Sequence, residues 1–266
     1  MDHPLDVRVT EIEQVTPLIK RFTLEAADGE ALPSFSAGSH IVIEMTDGDS
    51  VYCSPYSLIG SPWESGPYRI AVRRSEKGWG GSHYMHEKVG IGSVLRISAP
   101  VNLFPLIRTR SKHVLIAGGV GVTPFFAHLA ELRAMAVPHE LHYAVRNVEH
   151  AGFVDELRQM IGDDLHVYVS DDGQSIDFDA LLAPQPQGAE VYVCGPERMV
   201  AATFAAARAA GWHDGRVHAE QFASPAASVS PEGRATKSGS TASEPFEAGE
   251  GGTARLQRDD RVELAV

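Results

Sequence analysis

AGGVGVTPF, Ala117 to Phe125, decides how the second half of the chain is read. It closes a continuous apolar run, HVLIAGG from His113, and leads into an apolar-periodic segment. Thr123-Pro124 predicts an N-cap with proline at the first helical position, and a helix to about Met135. Working downstream, the grammar repeats. HELHYAVR (139–146) reads as a strand, Phe153 to Met160 as a helix and LHVYVSDD (165–172) as a strand. A short helix covers Asp177 to Leu182, EVYVCGP (190–196) is a strand, ERMVAATFAAARAAG (197–211) a helix, and RVHAEQF (216–222) closes the series. Alternating strand and helix predicts a parallel sheet with helices on both faces.

Upstream the pattern differs. Val7–Val15, Ile19–Glu25, His40–Met45, Val51–Leu58, Tyr68–Arg74 and Val94–Ala99 are β-rich and punctuated by Gly and Pro. Short strands at that spacing predict an antiparallel barrel or sandwich, interrupted by one helix over Ser82–Lys88. Residues 224–252, rich in Ser, Ala, Gly and Pro, read as a linker, and TARLQRDDRVELAV (253–266) as a β-hairpin turning near Arg258-Asp259-Asp260. The domain expectation is therefore 1–108, 109–223, a linker over 224–252 and a hairpin remnant over 253–266.

Bulk properties exclude several classes. The 266 residues are 43% hydrophobic and 22% charged, enough for two ordinary cores. A formal charge of −12 argues against nucleic-acid or anionic-membrane binding. Two cysteines, Cys53 and Cys194, cannot form a disulfide framework or a four-thiolate site, which suggests a reducing compartment. No secretory signal opens the chain and no apolar run reaches the roughly 18 residues of a membrane span, so the expectation is cytoplasmic.

Three stretches can carry chemistry. AGGVGVTP places glycines and a helix start at a strand end, which suits either a phosphate-bearing ligand or a tight turn; it is neither the Rossmann nor the Walker pattern. GWGGSHYMH (78–86) sets Gly80, Gly81 and Ser82 before a short helix, with Arg73, Arg74 and Lys77 upstream, and reads as a phosphate cradle or a Gly-rich bend. CSPYSL (53–58) places adjacent Tyr and Ser behind a proline with no charge. Cys194 lacks an activating partner, as a structural thiol would. Asp171-Asp172 suits a turn or a ribose contact. The histidines show no metal-ligand spacing, so no metal is expected.

Taken in order, Y-S-L, G-G-S, G-G-V-G-V-T-P and C-G-P resemble the ferredoxin–NADP⁺ reductase superfamily, and within it the phthalate dioxygenase reductase and vanillate demethylase reductase group. AGSHIVIEM, ISAPVNLFPL, LHYAVRN and AEQF extend the likeness over roughly residues 5 to 223. The resemblance implies an N-terminal flavin-binding β-barrel, a C-terminal NAD(H)-binding α/β domain, and electron flow from NADH through flavin to an iron–sulfur acceptor. Tyr56 would pack on the isoalloxazine, Ser57 would sit near its N5 and Leu58 beside them. Ala71, Val72 and Arg73 would flank the flavin, and Gly80, Gly81 and Ser82 take its phosphate. Gly118, Gly119, Gly121 and Thr123 would line the dinucleotide path, with Arg146 at its adenosine side. Cys194, Gly195 and Pro196 would approach the nicotinamide, and Phe222 cover the flavin's other face. Ser57, Cys194 and Phe222 are the expected catalytic positions; Glu220 either tunes the flavin or forms an ion pair.

The chain departs from that group twice. Where the family reads Arg-x-Tyr-Ser, Ser54 stands two before Tyr56 and Cys53 three before, so no arginine reaches the phosphate from this stretch. The cysteines of the group's plant-type ferredoxin domain are absent, so no cluster is expected on this chain. The expected function is a flavin-dependent NADH reductase passing single electrons to an iron–sulfur protein or oxygenase component, with FMN (alternatively FAD) and NADH (alternatively NADPH). The alternatives are a non-catalytic flavin-binding subunit and an FAD-dependent reductase serving a separate ferredoxin or haem protein.

Overall fold

The computed structural model of the protein describes residues 4–75 and 80–220. The expected Phe222 contact, Lys77, the linker and the hairpin lie outside the described residues.

The N-terminal part is a seven-stranded antiparallel sheet. Its strands are β1 (Leu5–Thr16), β2 (Ile19–Ala26), β3 (Ser39–Asp47), β4 (Ser50–Ser57), β5 (Tyr68–Arg73), β6 (Val94–Ile97) and β7 (Val101–Asn102), in the order β4-β3-β6-β1-β2-β5 with β7 beside β3. Period-two burial follows the sequence: Ser39, Ile41, Ile43 and Met45 point inward from β3 while their neighbours are half-exposed. Ile41, Ile43 and Met45 meet Val7, Val9, Phe22, Leu24, Ile70, Val72 and Met85 in one core. The expected barrel is not closed. Between the outermost strands β4 and β5 the structure gives one bridge, Ile59 with Arg69, rather than a ladder. The cause is local: Gly60-Ser61-Pro62 follows Ile59 directly, and Gly60 takes φ +116°, which turns the chain away from the strand path. Helix α1 (Gly81–Glu87) packs Met85 into the sheet's core.

The C-terminal part is a five-stranded parallel sheet, β10-β9-β8-β11-β12, built from β8 (His113–Gly118), β9 (His139–Val145), β10 (Leu165–Val169), β11 (Glu190–Cys194) and β12 (Val217–Glu220). Strands β8 and β11 are buried along their whole length, as central strands covered on both faces must be. One face packs on α2 (Thr123–Ala134) and α3 (Val154–Ile161) through Phe125, Phe126, Leu129 and Leu157. The other packs on α4 (Phe178–Leu182) and α5 (Glu197–Ala209) through Leu182, Val200 and Ala207. Strand order reverses between β8 and β11. Open α/β sheets bind ligands outside the carboxyl ends of the strands at such a point.

The helix after β8 begins differently from the capping expectation. A 3₁₀ turn over Gly119–Val122 runs directly into α2, so Thr123 is already helical. Its hydroxyl donates back to the Val120 carbonyl at 3.0 Å instead of capping an N–H.

The two parts share a core. Ile19, Ile59, Ala71 and Phe104 belong to the cluster formed by Phe125, Leu129, Tyr143, Tyr192 and Cys194. At Gly152 a Cβ would stand 2.4 Å from Thr16 Cγ2, so backbone meets strand β1 there without room for a side chain. Arg21 on β2 reaches Glu156 on α3 at 2.7 Å and Glu13 at 2.6 Å. Both carboxylates are nearly half-exposed, which limits the worth of this bridge to about 0.5–1 kcal/mol. Arg21→Ala is expected to lower the melting temperature by roughly 2–4 °C, and by less at high salt, in a thermal scan.

Candidate functional site

The carboxyl ends of β8, β11 and β12 converge on the end of β4. In the parallel ladder Cys194 stands between Ala117 and Glu220. Three glycines allow this convergence. A Cβ on Gly121 would lie 2.3 Å from the Cys194 carbonyl oxygen, and one on Gly195 3.0 Å from Gly118 N. On Gly118 it would meet Pro196 Cδ at 2.6 Å. The GGVGV and CGP turns, far apart in sequence, are thus packed backbone on backbone. Gly118, Gly121 and Gly195 admit each other's loops. Gly119 alone of the four is open, at φ +55° with nothing within 4 Å of a Cβ.

Ser57 ends β4, paired across the ladder with His40, and is buried. Burial pushes the Glu220 carboxyl up to about 7, and the neighbouring Ser57 hydroxyl pulls the other way. Among the described residues neither Ser57 Oγ nor Glu220 Oε2 has a hydrogen-bond partner; the two groups adjoin, each with an unfilled polar atom. Buried polar atoms are ordinarily satisfied, so this pair is a place where a polar partner from outside the chain fits. Burial also raises the Cys194 thiol, and the Glu220 charge raises it further. Cys194 is therefore held as a thiol. It can shape the site by contact, not attack as a thiolate.

The Glu220 value gives a sign. A carboxyl whose folded value stands above its free value of 4.5 holds its proton more tightly in the fold. That contribution to stability is full below the free value and is lost as pH rises through about 7. Glu220→Gln, neutral throughout, is expected to flatten urea-unfolding stability between about pH 5 and 8. Equal slopes in variant and wild type would place the titration elsewhere.

Tyr56, facing Ile41 across the ladder, packs against the N-terminal core; burial raises its phenol, and a hydrogen bond with Ser54 opposes this. Leu58, Ala71 and Val72 are buried, and Arg73 ends β5 half-buried. Ser54, at the place where the family's arginine is expected, is itself buried and lies where a Cβ on Gly81 would be 2.5 Å from its Oγ. Gly81 is needed for the approach of α1 to β3 and β4; Gly80 is open and extended, and Ser82 Oγ accepts from the Ser75 N–H at 3.2 Å. Arg74 is already paired with Glu87 at 2.8 Å.

Arg146 stands at the end of β9, largely exposed, with Asp171 at 4.0 Å and the Asp171 N–H donating to its carbonyl at 2.8 Å. Sequence reasoning singled out both residues but did not join them; parallel pairing of β9 with β10 does. It also missed a side-chain group elsewhere in this pairing. Glu140, His142 and His166 bring their ligand atoms within 4.8 Å of one another, against the expectation of scattered histidines. The signal was present as E-x-H in β9 and H-x-Y in β10, but only the register aligns them.

Comparison with known proteins agrees with this two-part layout. Residues 6–105 match the oxidoreductase FAD-binding domain, and residues 98–217 the N-terminal domain of dimethylamine monooxygenase subunit DmmA-like proteins. The chain is 44% identical over 216 residues to the carnitine monooxygenase reductase subunit of Acinetobacter baumannii, covering 81% of this chain and 67% of that one. It is 43% identical over 220 residues to the heme-dependent oxidative N-demethylase beta subunit of Ectopseudomonas mendocina, covering 82% and 69%. Among solved structures, phthalate dioxygenase reductase superposes with a TM-score of 0.75 at 30% identity, over 84% of this chain and 69% of that one. Among the described residues no helix is long and apolar enough to cross a membrane. The chain is an oxidoreductase and belongs to the flavoprotein family of reductase subunits of oxygenase and demethylase systems.

Proposed function

We propose that this chain takes hydride from NADH onto a flavin and delivers single electrons to an oxygenase component or its iron–sulfur carrier. The observation that carries the reading is the junction where Ser57 and Glu220, both with unfilled buried polar atoms, meet Cys194 and the interlocked GGVGV and CGP turns. A bound flavin supplies the chemistry of accepting two electrons together and releasing them one at a time. The chain's own residues hold, orient and exclude water.

Tyr56 offers an aromatic wall, and Ser57 a hydroxyl at its edge. Leu58, Ala71 and Val72 would flank the flavin, and Arg73 with Gly80, Gly81 and Ser82 would hold the phosphate. Gly118, Gly119, Gly121 and Thr123 would guide the dinucleotide; Gly195 and Pro196 would bring the nicotinamide up to the Ser57 edge. Glu220, poised near neutrality, can hold or release a proton beside Ser57. Phe222 would cover the ring from the other side. In this reading the flavin unit spans 1–108 and the nucleotide unit 109–223.

The matched family description names FAD, so the expectation of FMN has no support in it. The reading here takes FAD, with the mass of the extracted flavin deciding. NADH is preferred over NADPH because Arg146 is a single cation already beside Asp171, whereas a 2′-phosphate ordinarily gathers several. A second reading has a specific support: the Ectopseudomonas mendocina relative carries a heme-dependent name, which favours a haem protein as acceptor. The test is steady-state NADH oxidation with ferricyanide, a one-electron acceptor, on flavin-loaded protein. Turnover with NADH well above NADPH supports the reading; flavin binding without turnover would leave a binding subunit instead.

A further inference from the structure

We propose that Glu140, His142 and His166 bind one divalent transition-metal ion of the zinc type, which ties the edge strand β10 to β9. The parallel register sets His142 directly beside His166, and Glu140, two residues before His142, shares its face. Their donor atoms lie within 4.8 Å of each other. Two imidazole nitrogens and a carboxylate oxygen suit zinc-like ions, whereas calcium and magnesium take oxygen cages.

His142 carries the argument. It is 95% buried, and its Nδ1 lies 2.9 Å from the Tyr168 hydroxyl. Its buried Nε2 has no hydrogen-bond partner among the described residues and faces Glu140 Oε1 at 3.5 Å. Where the Nδ1 proton goes to the Tyr168 hydroxyl, the bare Nε2 and the Glu140 carboxylate face each other as two acceptors, a geometry that a cation between them satisfies. In the other tautomer the ring donates to Glu140 instead, and metal titration separates the two. A ring nitrogen engaged by an outer partner while the other is bare is the arrangement metal-bound histidines adopt. Glu140 is held in place as well: Gln185 Nε2 donates to Oε1 at 2.9 Å and Lys112 Nζ to Oε2 at 2.7 Å. His166 stacks on His142 with centroids 4.7 Å apart and is exposed, so its ring can turn toward the ion.

Lys112 opposes the ion, being a like charge on the same carboxylate. The site is therefore expected to be weaker than a site without that lysine, and Lys112→Gln is expected to tighten it several-fold. The experiment is titration of the untagged, chelator-stripped full chain with Co²⁺, read by visible d–d bands, and with Zn²⁺ by calorimetry. One equivalent should bind. His166→Ala, at an exposed position, should weaken binding at least tenfold while leaving NADH-driven flavin reduction unchanged. His142→Ala should do the same for binding, provided its circular dichroism matches wild type. Absence of saturable binding, or one-equivalent binding indifferent to His166→Ala and Lys112→Gln, would overturn the proposal.

Discussion

Gly121→Ala is expected to abolish fast reduction of the flavin by NADH while leaving flavin in place. The added Cβ would stand 2.3 Å from the Cys194 carbonyl oxygen and 2.7 Å from its carbon, both backbone atoms that no rotamer change can move. Contact at van der Waals distance requires the GGVGV and CGP turns to part by roughly 1 Å, and a displacement of that size costs on the order of 10²-fold in a reaction that depends on ring-to-ring approach. Overpacking at a tight site costs about 1–3 kcal/mol, so the melting temperature should fall by several degrees as well. Tyr56, Leu58 and Val72, which would face the flavin in the proposed reading, belong to the other half of the molecule and are untouched. Rapid-mixing absorbance at the flavin band reads the first effect, and flavin-to-protein ratio the second. Full-speed reduction in a folded Gly121→Ala protein would mean that this junction is not where the two rings meet.

Tyr56→Ala should weaken flavin binding about 10- to 100-fold. The side chain packs at the rim of the N-terminal core and is only partly exposed in the chain alone, so it is already positioned to form a wall. An aromatic wall under a flat heterocycle is worth about 1–3 kcal/mol on truncation. Tyr56→Phe keeps the wall and loses only the phenol, and should bind flavin within a few-fold of wild type. Fluorescence quenching of added flavin measures both. If Phe and Ala variants lose flavin equally, the hydroxyl and its Ser54 hydrogen bond matter more than the ring.

The fold was readable because its periods are strong. The continuous burial of β8 and β11 is written as HVLIAG and EVYVC, and the period-two burial of β3 as alternating residues in SHIVIEM. Closure of the N-terminal sheet was not readable, since it turns on one glycine at φ +116° that ends pairing after a single bridge. The start of α2 was misplaced because a 3₁₀ turn has no composition of its own; Gly119–Val122 looks like loop until Thr123 is seen bonded back to Val120. In the site, Tyr56-Ser57 and the two glycine turns announced themselves locally. The Ser57–Glu220 meeting did not, because it joins strands 163 positions apart through the packing of two sheets. Nor did the histidine pair, which exists only in the register of β9 against β10.

The central claim is that the junction of β4, β8, β11 and β12 brings a flavin and a reduced nicotinamide together. The most direct measurement is the visible spectrum of the flavin-loaded protein under anaerobic conditions, before and after one equivalent of NADH. The account predicts flavin bands, at roughly 375 and 450 nm as for any flavin, that bleach at once in the wild type and slowly in Gly121→Ala. Bands that persist after NADH, or a protein that takes up neither FAD nor FMN, would contradict it.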